Sequence, residues 1–405
     1  MLPQIDNRTL SLIISGRAQE LDYDSFSPAD WDLLVRRAQA EGVGPLVYWV
    51  LSRSGKLSSS PEPVHNSLRA MYFSVKLNNQ EIIHELEILT RHFDHVSIPV
   101  VVLKGASFAL TIYPDIGLRP MVDLDLLVPA AKGSEAVRIA KSLGYVDALP
   151  EASLGLGELL SHAVCLKKIA VPFTTLELHH SLVADGSFTF AVPVDWFWGQ
   201  TETIEAFSSE RRIEKLRMLT PTAQVLYASA HAMLQHGGRN TTLRWLYDLD
   251  RLIRFYAGRM DWELLLSQAQ TFEWSSSVSA ALSQTVACFD TPIPQKVLDD
   301  ISRHSDRNTK RVATLQHQPA THMLEEYQKL KSLNGYGRIR LILALIAPSP
   351  AYMRWRYGLK TSWALPAYYL YRWWGILKDA MMTVLLFVRK VVPHTGHRNT
   401  SRQIS

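Results

Sequence analysis

Leu118-Arg119-Pro120-Met121-Val122-Asp123-Leu124-Asp125-Leu126-Leu127-Val128, preceded by Val101-Val102-Leu103-Lys104-Gly105-Ala106-Ser107, decides how this chain is read. From Met121 to Val128 the period is two. That predicts a strand with Asp123 and Asp125 on one face and Leu124 and Leu126 turned to the core behind it. Two like charges one pleat apart repel each other, and the arrangement makes most sense around a divalent cation. Upstream, the apolar run 98–103 reads as a short buried strand, and Lys104-Gly105 leads into a helix expected over 106–113. Backbone N–H groups at such a start point toward an anion, and glycine lets the chain approach a phosphate closely. Ser107 can add a hydroxyl donor and Arg119 a bidentate phosphate contact. The plainer alternatives are a solvated strand end for Lys104 and a structural pair with Asp115 for Arg119.

With Tyr113, Arg119-Pro120, the Asp123-Leu124-Asp125 run and Leu176-Glu177-Leu178-His179, the chain resembles the uncharacterised nucleotidyltransferase family of the DNA polymerase β-like superfamily. The resemblance runs over most of the chain, including 231–248 and the Pro348-Ser349-Pro350-Ala351-Tyr352-Met353-Arg354 stretch. Members place a Gly-Gly or Gly-Ser pair before the paired aspartates. Here Gly105 is followed by Ala106 and Ser107, and the gap to Asp123 is longer, a departure that bears on Ser107 more than on the carboxylates. The family implies a Mg²⁺-dependent, or Mn²⁺-dependent, transfer of a nucleoside monophosphate from an NTP donor. Its acceptor would be a hydroxyl or phosphate on a sugar phosphate, a peptide or another small intermediate. In-line displacement at phosphorus develops charge on the attacking and leaving oxygens, which two metals about 4 Å apart stabilise. Hard Mg²⁺ takes oxygen ligands, so two or three carboxylates plus substrate phosphates suffice.

The third carboxylate should come from a neighbouring strand facing the same way. In Thr175-Leu176-Glu177-Leu178-His179 polar and apolar residues alternate, so Glu177 and His179 share a face. Glu177 is therefore expected to complete the metal set with Asp123 and Asp125, its bland alternative being a solvated edge-strand acid. His179 is expected to line the site by a hydrogen bond, since imidazole favours zinc over magnesium and no second His or Cys cluster at ligand spacing is visible. On the acceptor side the candidates are His179, His231 and Asp248, the last two with a packing role as alternative. Asn78 and Asn79 are expected to make a helix–helix hydrogen bond rather than touch substrate.

Outward from this core the pattern is helical. Ser27-Pro28 starts a helix running to about residue 40, a Ser-rich loop covers 52–60, and a long amphipathic helix covers 64–95. A helix is expected over 131–144, a strand pair over 160–169 and 173–180, and helices throughout the chain beyond Pro193, with Thr220 capping one that starts at Pro221. The fold class is therefore α+β: a small mixed nucleotidyltransferase sheet embedded between N-terminal and C-terminal helical regions. The divisions are 1–95 (helical), 96–205 (sheet core), 206–334 (helical), 335–393 (a basic aromatic tail) and 394–405 (disordered).

At 405 residues and 47% hydrophobic the chain exceeds one core. Two cysteines, Cys165 and Cys288, make no disulfide framework, and the N-terminus carries no export signal, so a cytoplasmic protein is expected. The net charge of +5 hides an asymmetry: residues 335–405 hold eleven Lys or Arg and one acid, Asp379. The apolar run between Lys378-Asp379 and Arg389 is about half of the roughly 20 residues a membrane span needs. The tail thus reads either as an interfacial helix on an anionic membrane or as a helix packed on the core. A noncatalytic membrane-peripheral module and a tRNA-directed, toxin-like transferase are the competing functions. Nucleic acid is disfavoured because the chain before Gly335 is net acidic.

Overall fold

The computed structural model describes residues 5–150, 162–168, 175–182, 194–207, 212–235, 241–304, 330 and 335–391. Its centre is a seven-stranded sheet of β1 (Val101–Val102), β2 (Asp123–Leu127), β3 (Tyr145–Asp147), β4 (Ala163–Lys168), β5 (Thr175–His179), β6 (Thr201–Phe207) and β7 (Arg212–Leu219). The spatial order is β3-β4-β5-β2-β1-β7-β6. The β2/β5 and β1/β7 pairs are parallel and the other four are antiparallel, so the sheet is mixed and the fold is α+β.

The alternation written into β2 and β5 is realised. Leu124, Leu126, Leu176 and Leu178 are buried with Ile82, Ile83, Leu86, Leu89 and Phe93 of the Glu62–His95 helix and with Ala136, Ile139 and Ala140 of the Gly133–Ser142 helix. That long helix carries one buried acid, Glu85, which accepts from Lys168 Nζ at 2.8 and 2.9 Å and from the Tyr145 hydroxyl at 2.9 Å. A carboxylate inside a core is tolerated only when its lone pairs are satisfied, and here the partners come from β3 and β4, locking that sheet edge onto the helix.

Helix boundaries follow local chemistry. Ser27 caps the Pro28–Ala40 helix in a capping box with Asp30. The Ser-rich stretch is not wholly irregular, since Lys56–Ser59 forms a 3-10 turn. Thr220 occupies the cap position before the Pro221–Ala230 helix, but its side chain does not cap: the hydroxyl donates to Gln200 Oε1 at 3.3 Å. The helical reading of everything beyond Pro193 is corrected by β6 and β7, a hairpin that extends the sheet to Leu219. Its strands alternate charged and apolar residues (Lys215, Leu216, Arg217, Met218), a period of two hidden by helix-favouring Glu, Lys and Leu. The helices Leu243–Phe255, Trp262–Thr271, Ser275–Phe289 and Gln295–Arg303 complete this unit.

Residues 335–391 fall in a second unit, with helices Gly335–Ile346, Pro350–Tyr357 and Leu365–Val391. The third helix turns polar side chains onto the end of the first: Arg372 Nε donates to the Leu345 carbonyl at 3.0 Å and Trp373 Nε1 to that of Ile346 at 2.5 Å. These bonds satisfy carbonyls that a helix C-terminus leaves open. Among the described residues no helix is long and apolar enough to cross a membrane. Residues 394–405 lie outside the described residues.

Candidate active site

In the β2/β5 register Asp125 stands directly opposite Glu177, with Asp123 one pleat away opposite Thr175. The three acids therefore leave the same face of two adjacent parallel strands. Asp125 is 3% exposed and takes two partners: Lys104 Nζ lies 3.4 Å from its Oδ1 and His179 Nε2 lies 2.8 Å from the same oxygen. His179 Nε2 is also 3.3 Å from Glu177 Oε2, so one imidazole nitrogen bridges two of the acids.

Burial alone would raise the Asp125 pKa, but Lys104 and His179 overcome it and hold the carboxyl well below the usual range. Asp123 has no such neutralisation. Burial, then the charge of Asp125, push it up from the ordinary 3.8 to about 6. Burial would lower Lys104, yet Asp125 leads the charges that hold its ammonium above its ordinary value. His179, wholly buried, is raised because its hydrogen bonds to Asp125 and Glu177 outweigh desolvation.

Lys104 is placed at a backbone cost. It opens the Lys104–Thr111 helix with φ of +30°, a conformation costing a non-glycine residue on the order of 1–3 kcal/mol. The ammonium lies 5.5 Å from the centre of the Tyr227 ring and 3.4 Å from Asp125, contacts that fix the strained residue. Gly105 serves close packing: a Cβ there would sit 3.0 Å from Arg119 Nη1 and 3.4 Å from Met121 Sδ. Ser107 is 1% exposed, and its hydroxyl has no partner among the described residues.

Arg119 and Asp248, expected at the phosphate and at the acceptor, close on each other instead. Arg119 Nε and Nη2 donate to the Asp248 carboxylate at 3.0 and 2.8 Å, and the Tyr113 hydroxyl adds a third bond at 2.7 Å. Arg119 is 6% and Asp248 2% exposed, so both act from beneath the surface. The pair belongs to a set of bonds that clamps the segment leading into β2. Asn79 Nδ2 donates to the carbonyls of Ile116 and Arg119, Asn78 Nδ2 to that of Met121, and Arg244 Nη1 to that of Pro120. Asn78 and Asn79 thus hold the loop rather than another helix. Asp115, the partner considered for Arg119, is taken by Lys76 at 3.0 Å.

His231 begins a π-helical turn, His231–Gln235, with its ring edge-on to Trp245 at 5.7 Å, and its charge is among those lowering Asp125. Of the acceptor-side candidates it is His179, 2.8 Å from Asp125 Oδ1, that reaches the acidic cluster. Three residues were not singled out as site residues in the sequence: Tyr227, Cys165 and His162. Cys165 pairs with Glu177 across β4/β5, and burial followed by the Glu177 charge pushes its thiol up to about 11. His162, which has no ligand-type spacing to His179 in the sequence, packs its ring 5.0 Å from that of His179. Only the strand register brings it there, and that register has no short-range sequence signal.

Carboxylate oxygens are the ligands a hard divalent ion takes, although among the described residues the three ligand atoms that lie within 4.8 Å of one another belong to His162, Glu177 and His179. Asp123, Asp125 and Glu177 offer carboxylate oxygens from one face, and the raised Asp123 marks negative charge that the protein leaves uncompensated.

A mixed sheet flanked by helices, presenting paired aspartates and a third acid from the adjacent parallel strand, defines a nucleotidyltransferase-like fold. The family described as uncharacterised nucleotidyltransferase matches residues 27–290, more than half of the chain, and the chain belongs to it. The match ends before the Pro348 stretch, so the resemblance there is not part of it. A solved structure of an antigenic nucleotidyltransferase-like protein from Paracoccidioides brasiliensis aligns with 56% of this chain and 95% of its own, at 14% identity and a TM-score of 0.33. No curated protein matches the chain.

Proposed function

We propose that this chain transfers a nucleoside monophosphate from an NTP to a hydroxyl or phosphate of a small acceptor, with Mg²⁺ or Mn²⁺ held by Asp123, Asp125 and Glu177. The observation that carries this reading is the in-register opposition of Asp125 and Glu177 with Asp123 one pleat away. The divalent ions would neutralise charge on the attacking and leaving oxygens. Lys104 and His179 favour the charged form of Asp125. Asp123, the acid the protein leaves least compensated, is the one whose ionisation gains most from a cation. Glu177, 26% exposed, is the acid open to an incoming acceptor and the candidate to receive its proton. Lys104 and the first N–H groups of its helix face the triphosphate side, with Gly105 and Ser107 in the same turn. Arg119 and Asp248 serve by holding the loop that delivers Asp123, and His231 lines the acceptor side.

Glu177→Gln should remove turnover while leaving the urea midpoint within the range of ordinary surface variants; Asp125→Asn should also remove turnover but lower that midpoint, because it leaves Lys104 and His179 buried without their counter-charge. Turnover retained in both would exclude the assignment. The donor is identified by a thermal-shift screen of the four NTPs, the informative result being a shift that needs both metal and one NTP.

A second reading, of location, rests on the 335–391 unit. Trp363 is 83% and Trp374 69% exposed, with Leu370, Tyr371, Leu377 and Met381 exposed beside them in a segment carrying one acid. Exposed Trp anchors flanked by Arg and Lys suit the interface of an anionic membrane. The tail would then bring the enzyme to substrates at that surface.

A further inference from the structure

We propose that His162, Glu177 and His179 form a second cation position, one suited to a borderline first-row ion of the zinc type rather than to magnesium. One ligand atom from each of the three lies within 4.8 Å of the others, which is the reach of a single ion. His179 Nε2 and Glu177 Oε2, 3.3 Å apart, are already at the separation of two ligands on a tetrahedral zinc, about 3.3 Å for bonds of about 2.0–2.1 Å.

Three features favour this set. Period two in β5 puts Glu177 and His179 on one face, so their relation is fixed by the strand. The backbone carbonyl of His162 accepts from the N–H groups of both His180 and Ser181, at 3.0 and 3.1 Å, which pins His162 against the end of β5. The other ring nitrogen of His179, Nδ1, lies 3.3 Å from the Ser181 carbonyl, and that contact turns Nε2 toward the carboxylates. A backbone carbonyl on the far nitrogen is the usual orienting contact of a metal-bound imidazole.

The donor chemistry separates this position from the one proposed for nucleotidyl transfer. Asp123 and Asp125 offer hard oxygens, whereas two imidazoles and one carboxylate favour zinc-type ions and bind magnesium poorly. Glu177 is common to both, and so is His179, whose Nε2 also lies 2.8 Å from Asp125 Oδ1, so the proposal touches the transfer reading at those two residues but does not need nucleotide turnover. Glu177 is half-buried and His162 likewise, leaving the ion accessible and able to keep a water.

The test uses the full chain stripped with chelator and dialysed against Zn²⁺, with bound metal counted by elemental analysis and Co²⁺ as the spectroscopic probe. The parent should bind one zinc per chain, and Co²⁺ should give visible absorption of a low-symmetry site. His162→Gln should weaken zinc binding at least about 10-fold, the lower bound set by the loss of a mere supporting contact. His162→Cys should restore binding and add a thiolate-to-cobalt charge-transfer band, an effect that a structural role for His162 would not produce. A parent that holds no zinc, zinc binding unchanged in His162→Gln, or a cobalt spectrum without the thiolate band in His162→Cys would each overturn the proposal. A Mg²⁺–NTP thermal shift measured in parallel keeps the two readings apart: its absence counts against nucleotidyl transfer, while the zinc count alone decides this one.

Discussion

Replacing Asp123 by Asn should make the metal-free protein more stable at neutral pH while removing its proposed activity. Asp123 is lifted from 3.8 to about 6 by burial and by the neighbouring Asp125 charge. Each pKa unit is worth 1.36 kcal/mol, so a lift of about 2 units means that ionised Asp123 costs the fold about 3 kcal/mol. The sign follows from proton binding. Between pH about 4 and about 6 the folded state holds the Asp123 proton more tightly than the unfolded chain does, so folding stability falls as pH rises through that window. Asn carries no charge and escapes the penalty. Urea denaturation in chelator, from pH 4 to pH 8, should show the variant gaining on the parent as pH rises, approaching about 3 kcal/mol at pH 7.5 and near zero at pH 4. The denaturant slope should stay constant, so that the difference reports stability and not a change in the unfolded state. A variant no more stable than the parent at pH 7.5, or one with an advantage independent of pH, would refute the view that Asp123 is an uncompensated charge. Adding Mg²⁺ should then raise the parent's melting temperature more than the variant's.

Asp248→Ala leaves the Arg119 guanidinium buried without its counter-ion and should cost about 3–5 kcal/mol, read from urea midpoints, with Arg119→Met in the same chain recovering part of the loss. Gly117→Ala places a Cβ 2.9 Å from both Lys76 Cβ and Tyr72 Cε2, so overpacking of about 1–3 kcal/mol is expected in the same assay. The full chain should float with phosphatidylglycerol vesicles at low salt and release in high salt, and Trp363→Ser with Trp374→Ser should abolish flotation; flotation unchanged by these substitutions would exclude the tail as a lipid anchor.

The carboxylate set was legible because each member sits in a local period-two pattern: Asp123 and Asp125 alternate with Leu124 and Leu126, and Glu177 lies between Leu176 and Leu178. Five consecutive residues decide which way such a side chain points, and no distant information is needed. The long helix and the Ser27 cap were legible for the same reason. What escaped depends on partners far away in sequence. Arg119 has the chemistry of a phosphate ligand, and only the packing of the Leu243–Phe255 helix, 129 residues downstream at Asp248, turns it inward. His162 reaches His179 through strand register, and β7, with β6 beyond it, joins the sheet alongside β1, which lies about a hundred residues earlier in the chain. Residue type names a capability, whereas burial and partners decide which capability is used.

The contrast between the two aspartates ties these observations together. Asp125 is provided with Lys104 and His179, and Lys104 holds a left-handed backbone to supply its charge. Asp123, two residues away and subject to the same repulsion, has no partner in contact among the described residues, although Lys104 and, less strongly, Arg119 lower its pKa. That guanidinium is directed to Asp248 instead, and its neighbours Asn78, Asn79, Lys76 and Arg244 bond the backbone or the acid of the same loop. The available cations and amides thus hold Asp123 in place without neutralising it. A fold selected for stability alone would neutralise that charge or replace it. Keeping it charged and rigidly positioned makes sense if a cation from solution completes the site, which is why the stability of Asp123→Asn and the loss of its activity should be two readings of one electrostatic fact.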